Sequence, residues 1–93
     1  MQEDFNKDKR KYFIEKVGEL IKEIRINNKK ASINKLANEY DLDKGSLSKI
    51  ERGQYSIEFL TAWRIIEALG IDFSEFSKQL KEKLGKDFKL MDE

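Results

Sequence analysis

The sequence predicts an all-α protein. It contains no proline, the residue that most strongly interrupts helices, and it is rich in Lys, Glu, Leu and Ile, a composition that favours helix. Apolar residues recur at steps of three and four along most of the chain, and no stretch convincingly alternates apolar and polar residues as a half-buried strand does. Ninety-three residues are enough for one small domain with a single core.

The composition also limits the function. There is no cysteine and no histidine, so the chain has no disulfide and lacks both the commonest general base and the commonest metal ligands. No carboxylate pair or nucleophile stands out, and we expect no enzyme, no bound metal and no cofactor. No apolar run approaches the length of a membrane span, and the N-terminal stretch MQEDFNKDKRKYF lacks the apolar segment of a secretory signal. We therefore expect a soluble, cytoplasmic protein.

The first predicted helix is the longest. It is expected to begin between Asn6 and Asp8 and to run to about Asn27, before a polar break at residues 27–30. One side of it is apolar and carries Phe13, Val17, Leu20, Ile21 and Ile24. Gly18 interrupts this helix at a cost of about 1 kcal/mol relative to alanine, so we expect another helix to pass close to it.

Two short helices are predicted next. Ser32 is the expected N-cap of the second helix, which ends near Tyr40. Its inward side is predicted to carry Leu36, Ala37 and Tyr40. Residues 41–43 leave room only for a tight turn, after which Asp43 caps a third helix that Gly53 stops.

Two further helices complete the predicted fold. Ser56 is the expected N-cap of the fourth, which ends at Gly70 and has the apolar face Phe59, Leu60, Trp63, Ile66 and Leu69. We assign its aromatic residues to the core. Asp72 and Glu75 have the spacing of a capping box for the fifth helix, which ends at Gly85. The fifth helix carries the apolar stripe Phe73, Phe76, Leu80 and Leu84.

The charges are separated locally, although the net charge is only +1. Residues 25–35 carry four cations and no acid, whereas residues 36–43 carry three acids and no cation. The third helix buries Leu47 and Ile50, so its opposite face is small or cationic and contains no acid: Lys44, Gly45, Ser48, Lys49 and Arg52. Two short helices joined by a tight turn, the second with such a face, are the arrangement that places a helix in the DNA major groove.

The run LANEYDLDKGSLSKIERG, residues 36–53, resembles the helix-turn-helix signature of the lambda-repressor and Cro-like (XRE) family of DNA-binding domains. The resemblance extends to Gly18 and Arg25 and to ALGIDFSEF, residues 68–76, and covers about residues 13–77. It implies the five-helix lambda-repressor-like fold.

The resemblance also suggests how the chain is divided. We expect residues 1–12 to extend the first helix, residues 13–84 to form the helix-turn-helix domain and residues 85–93 to form a short C-terminal tail.

Several positions differ from the family pattern. Asp41 replaces the turn glycine, a position that aspartate tolerates better than most residues. Ile33 stands where the family often has a phosphate-facing glutamine, and Ile57 stands in place of a proline. Gly45 occupies a position that commonly reads a base, and the loop after the first helix is one residue longer than usual. We therefore expect direct base readout to be sparse.

The resemblance implies roles for individual residues. Lys44, Gly45 and Lys49 match positions that touch bases in the family, and Ser48 is a further candidate for base contact that could also bond phosphate. The candidates for phosphate contact are Lys29, Lys30, Ser32, Lys35, Ser46 and Arg52, of which Ser46 could also bond a base. Arg25 and Glu51 match positions that form a structural ion pair in the family. Lys35 is informative on physical grounds as well, because a cation in the first turn of a helix is disfavoured and a bound phosphate would relieve the repulsion.

These features predict a sequence-specific DNA-binding transcriptional regulator, a repressor that binds an inverted-repeat operator as a homodimer. Two alternatives stay open: an antitoxin-type protein that also binds a partner protein, and a non-specific DNA-binding or scaffold module. The stripe of the fifth helix, including the candidate dimer residues Phe76, Leu80 and Leu84, continues past the point where the family domain closes. It is expected either to pack on the first helix, through Phe5, Tyr12 or Phe13, or to meet a second copy.

Overall fold

The computed structural model describes residues 7–91, so the expectations for Phe5 and Asn6 lie outside the described residues. Within that range it contains five α-helices and no strand, which confirms the predicted five-helix fold. The helices are α1 (Lys7–Ile24), α2 (Ile33–Tyr40), α3 (Lys44–Glu51), α4 (Phe59–Ala68) and α5 (Phe73–Leu84). None of the helices in the described range is long and apolar enough to cross a membrane.

One core joins all five helices. Its buried side chains include Leu20, Ile21, Ile24, Leu36, Leu47, Ile50, Ile65, Ile66, Leu69 and Phe76. The long helix α1 packs against both α3 and α5, and α3 also packs against α2. The helix-turn-helix pair is therefore held by α1 rather than by its own small interface alone.

The end of α1 differs from the prediction. The α-helix does not continue to Asn27 but ends at Ile24, and residues Arg25–Lys29 form one wide π-helical turn. The N–H of Lys30 closes this turn on the carbonyl of Arg25, five residues earlier, and Lys30 adopts a left-handed backbone conformation with φ of 55°. The extra residue expected in this loop lies in a region where the helix winds more loosely than an α-helix.

The N-caps of α2 and α3 are those that the sequence predicts. The Ser32 hydroxyl accepts a hydrogen bond from the Lys35 N–H at 3.1 Å. The Asp43 carboxylate accepts one from the Ser46 N–H at 2.7 Å. The inward position predicted for Tyr40 is wrong, because its ring is exposed at the end of α2.

Helix α4 begins later than predicted and buries only part of the predicted face. Its N-cap is Glu58 rather than Ser56, and the Glu58 side chain makes no capping hydrogen bond. The predicted Ile66 and Leu69 are buried together with Ile65 and Ala68. The aromatic residues assigned to the core, Phe59 and Trp63, are exposed, and so is Leu60 of the same predicted face. The sequence of α4 is apolar around much of its circumference, so periodicity alone does not decide which side packs inward.

Helix α5 starts with the predicted cap but without the capping box. The Asp72 carboxylate accepts the Ser74 N–H at 3.1 Å. The Glu75 carboxylate accepts instead from the Gln79 side-chain amide at 2.9 Å, one turn further along the helix. Asp72 is thus the capping residue, and Glu75 stabilises α5 through a side-chain hydrogen bond between residues four positions apart.

The apolar stripe of α5 takes the first of its two predicted alternatives and packs on α1. Phe76 is only 5% exposed, and Leu80 and Leu84 are half-buried. Polar contacts reinforce the packing, because the Tyr12 hydroxyl donates to the Leu84 carbonyl at 3.2 Å and the Lys83 ammonium lies 2.8 Å from the Glu23 carboxylate.

Candidate nucleic-acid interface

Helix α3 lies in direct contact with α1 at Gly18. A Cβ atom built on Gly18 would lie 2.8 Å from the Glu51 carbonyl oxygen and closer still to that of Ile50. A side chain of any size would therefore push the two helices apart. The close approach predicted from this glycine is confirmed, and it fixes the last turn of α3 against α1.

A buried ion pair fixes the same end of α3. Arg25 Nε and Nη2 donate to the two Glu51 carboxylate oxygens at 2.7 and 2.8 Å, and Nη1 donates to the Ala31 carbonyl at 2.9 Å. The Glu51 carboxylate raises the pKa of Arg25 through these hydrogen bonds, and both side chains are buried. One guanidinium therefore connects the end of α1, the loop before α2 and the end of α3.

This pair also determines the charge of the outward face of α3. Glu51 is the only acid within Lys44–Glu51, and its carboxylate points inward to Arg25. Leu47 and Ile50 are buried beside it. The structure brings together the candidate base-contacting residues on the opposite side, where Lys44, Gly45 and Lys49 are exposed and Ser48 is half-buried.

The N-terminal end of α3 carries one acid outside the helix. The hydrogen bonds from Ser46, first from its backbone N–H, lower the pKa of Asp43 below its ordinary range. The Asp43 carboxylate is therefore charged at neutral pH, but it is directed at the free amides of the first turn, where a negative charge is favoured. Both Ser46 donors, the backbone N–H and the hydroxyl, are directed at Asp43, so the hydroxyl would have to exchange this bond to donate to a phosphate.

Gly45 has no structural need to be glycine. A Cβ atom added there would meet only the Asp43 carboxylate, at 3.5 Å, which is an ordinary contact distance. Its backbone is helical and φ is not positive. The missing side chain leaves an open position on the outward face of α3.

Arg52 follows α3 and folds back on it. Its Nε donates to the Ser48 carbonyl at 3.2 Å, a bond that uses one of the five donors of the guanidinium. The side chain is exposed and stays close to the outward face.

The candidate phosphate-contacting residues before α2 are partly engaged within the chain. The Lys29 ammonium donates to the Tyr40 hydroxyl at 2.9 Å and lies 5.0 Å from the centre of the Tyr40 ring, and this hydrogen bond raises the pKa of Lys29. The Lys30 ammonium donates to the Asn27 carbonyl at 3.3 Å. The Ser32 oxygen is used by the α2 cap, whereas the Lys35 side chain is exposed in the first turn of α2.

A contact that the sequence did not reveal fixes the turn between α2 and α3. Asp41, at the position of the family's turn glycine, has φ of 55° and ends α2 in a left-handed conformation. Its carbonyl accepts a hydrogen bond from Arg64 Nη2 of α4 at 2.8 Å. The two residues lie 23 positions apart, and no local pattern in the sequence connects them.

Comparison with known families agrees with this geometry. A family model described as helix-turn-helix, of the XRE and lambda-repressor-like type, matches residues 21–76, more than half of the chain. The matched region contains α2, the turn, α3 and α4 in full. No curated protein and no solved structure gives a significant match.

Proposed function

We propose, because this chain belongs to the helix-turn-helix family of the XRE and lambda-repressor-like type, that it is a sequence-specific transcriptional regulator that reads double-stranded DNA with α3. The family is one of DNA-binding domains rather than enzymes. The chain acts in the proposal as a repressor, because occupying an operator is sufficient to block a promoter and requires only DNA binding.

The observation that carries the proposal is the acid-free outward face of α3. The anchored face holds Leu47, Ile50 and the Glu51 carboxylate, so every charge within the helix that faces outward is positive. A helix of this width fits the major groove, and its cations are attracted to the phosphates on both sides.

Base recognition in this proposal depends on two lysines. Lys44 and Lys49 are the longest side chains on the outward face, and an ammonium can donate to the O6 and N7 atoms of guanine. Ser48 lies between them and can bond either a base or a phosphate. Gly45 contributes no side chain, so few base pairs per half-site are read directly.

Phosphate contacts set the register of the helix in the groove. Lys35 supplies a cation at the N-terminus of α2, where a phosphate binds the free amides. Arg52 and Ser46 supply donors at the two ends of α3, and Lys30 lies before α2. Lys29 exchanges its bond with Tyr40 for a phosphate when DNA is bound.

Two copies on an inverted repeat complete the proposal. A helix-turn-helix dimer places its recognition helices about 34 Å apart, one turn of DNA, so the operator has two-fold symmetry. Selection from random duplexes should therefore enrich an inverted repeat.

The decisive experiment compares Lys35→Ala with Lys49→Ala. Binding of each variant to the selected operator and to a random duplex is measured over a series of salt concentrations. Lys35→Ala should weaken both duplexes about equally and reduce the slope of log affinity against log salt by about one, because one phosphate contact is lost. Lys49→Ala should reduce the ratio of specific to random affinity, since a base contact contributes roughly 1 to 3 kcal/mol of discrimination.

The two substitutions are controls for each other, because both remove one exposed lysine and change the net charge equally. If Lys49→Ala leaves the affinity ratio intact and Lys35→Ala changes it, α3 is not the helix that lies in the groove. Absence of any enriched sequence at low salt would contradict the proposal of sequence-specific binding as a whole.

A further inference from the structure

An aromatic patch is exposed on α4. Phe59 is 69% exposed, Leu60 67% and Trp63 43%. The rings are packed on one another, since the Trp63 and Phe73 rings stack with centres 5.0 Å apart and the Phe59 ring meets Phe73 edge-on at 5.8 Å. We call Phe59, Leu60 and Trp63 the α4 patch.

The α4 patch is large for a chain of this size. Phe and Trp side chains present roughly 150 to 250 Å² each, so Phe59 and Trp63 together leave on the order of 250 Å² in water. With Leu60 the patch falls within the range of about 300 to 600 Å² that the largest apolar patch of a typical monomer reaches, and such patches are often functional. A standard interface takes about 800 Å² from each partner and has an aromatic core, and the patch is large enough for such a core.

An apolar groove opens beside the α4 patch. It has a volume of about 290 Å³, and Phe59 lies at its edge. The groove is lined by apolar side chains from α1, α4, α5 and the loop before α4, among them Phe13, Val17, Ile57, Ile66 and Leu80. The same surface therefore carries large projecting side chains and a recess that can receive them.

These features suit a second copy of the same chain. A two-fold contact brings one surface against itself, so that surface must supply both the projections and the recess. If two α4 helices pack antiparallel about an axis midway between Phe59 and Trp63, Phe59 of each copy lies beside Trp63 of the other. The exposed charges of α4 are one Arg64 and one Glu67, so the two faces do not repel each other by net charge.

From these observations we infer that the α4 patch and the adjoining groove form the two-fold interface between two copies of this chain. The inference rests on the proposed function, because that function brings two copies of the chain together on an inverted repeat. The α5 stripe is largely covered by α1 within one chain, with Phe76 5% exposed, whereas the α4 patch is not. The α4 patch therefore supplies the core of the interface.

The test compares two substitutions at equally exposed apolar residues. Leu60 and Met91 are both 67% exposed, and Met91 lies in the C-terminal tail, outside the α4 patch. Sedimentation equilibrium of the wild-type protein at micromolar concentration should show a dimer. Leu60→Asp should raise the dissociation constant at least about tenfold, because it places a charge in the core of the interface, and Met91→Asp should leave it unchanged.

Fluorescence of the single tryptophan gives a second readout in the wild-type protein. Trp63 is partly exposed in one chain and buried in the proposed dimer, so its emission should shift to longer wavelength on dilution. The shift should follow the dissociation measured by sedimentation. A thermal melt by circular dichroism controls for folding, because Leu60 is at the surface and its substitution should leave the monomer folded.

Two outcomes would overturn the inference. One is a wild-type protein that stays monomeric at high micromolar concentration, which would leave the patch to a different partner. The other is an equal effect of Leu60→Asp and Met91→Asp. The proposed function is judged separately with a single half-site: a monomer that binds it specifically leaves that function standing, and a dimer that binds no DNA contradicts it.

Discussion

Glu51 lies among apolar side chains at the centre of the helix-turn-helix, and Arg25 is the residue that compensates its charge. The two side chains form a bidentate pair, and the third Arg25 nitrogen satisfies the Ala31 carbonyl. Burying a lone carboxylate is costly, whereas a fully bonded pair is tolerated. The intact pair therefore fixes the orientation of α3 more than it raises the total stability of the fold.

Arg25→Met should destabilise the fold by roughly 3 to 5 kcal/mol, because it leaves the Glu51 carboxylate buried without a partner. Thermal and denaturant unfolding measure this change, and operator affinity should decrease with it. The double variant Arg25→Met, Glu51→Leu should regain much of the stability, because an apolar pair of similar volume replaces the ion pair. Unchanged stability of Arg25→Met alone would show that the pair contributes little to the frame.

Individual residues differ in how well the sequence predicts their surroundings. Arg25 and Glu51 could be paired because the resemblance supplied their positions. The contact between Lys29 and Tyr40 could not be predicted from the sequence, because it depends on the path of the π-helical turn and on the exposure of Tyr40. The Arg64 guanidinium donates to the backbone carbonyl of Asp41. Residue types do not indicate which backbone carbonyl a side chain will bind, so this contact could not be predicted either.

At the scale of the elements, the two glycines within helices have different roles. Gly18 lies where α1 touches the backbone of α3, whereas Gly45 lies on the open face of α3. Alanine favours a helix over glycine by about 1 kcal/mol at either site when nothing obstructs its Cβ atom. Only at Gly18 does the neighbouring helix obstruct it.

Gly18→Ala should therefore destabilise the protein in spite of its better helix propensity. The Cβ atom meets carbonyl oxygens of α3, which cannot move without breaking the contact, and a cost of roughly 1 to 3 kcal/mol is expected from overpacking. Gly45→Ala is the matched control and should stabilise the protein by up to about 1 kcal/mol. Chemical denaturation compares the two, and a neutral Gly18→Ala would mean that α1 and α3 pack less closely.

Helix existence and three of the four predicted N-caps could be predicted because their signals are local. Ser32, Asp43 and Asp72 cap helices as their residue types suggest. The buried face of α4 could not be predicted, because apolar residues occur on both sides of that helix and tertiary packing selects one. The π-helical turn has no local signal of its own, as neither glycine nor proline occurs in Arg25–Lys29.

The whole molecule is closed by α1, which contacts both the helix-turn-helix and α5. Tyr12, in the N-terminal half of α1, donates to the Leu84 carbonyl of the last helix, and Glu23, near the C-terminal end of α1, pairs with Lys83. The sequence left the partner of the α5 stripe open, since an apolar stripe indicates burial but does not identify the covering surface. Contacts between helices that are far apart in the sequence depend on how the whole chain folds.

Leu84→Asp should lower the melting temperature without changing the dimer dissociation constant of the folded protein by more than about threefold. Leu84 is half-buried beside α1, where Tyr12 donates to its carbonyl, and it does not line the groove, so a charge there costs folding free energy of roughly 1 to 3 kcal/mol. Circular dichroism melts and sedimentation of the folded fraction separate the two effects. Loss of the dimer with an unchanged melting temperature would instead place α5 at the interface between copies.

In the proposed function, the two faces of α3 separate stability from operator choice. The anchored face of α3 is held by its contact with Gly18, by the Arg25 ion pair and by the core. Substitutions at Lys44, Gly45 or Lys49 leave all three of these contacts unchanged. If α3 reads DNA as proposed, new operator preferences can be designed by exchanging outward residues without disturbing the fold. Gly45 is the natural first position, because a longer side chain there adds a reading group and improves the helix at the same time.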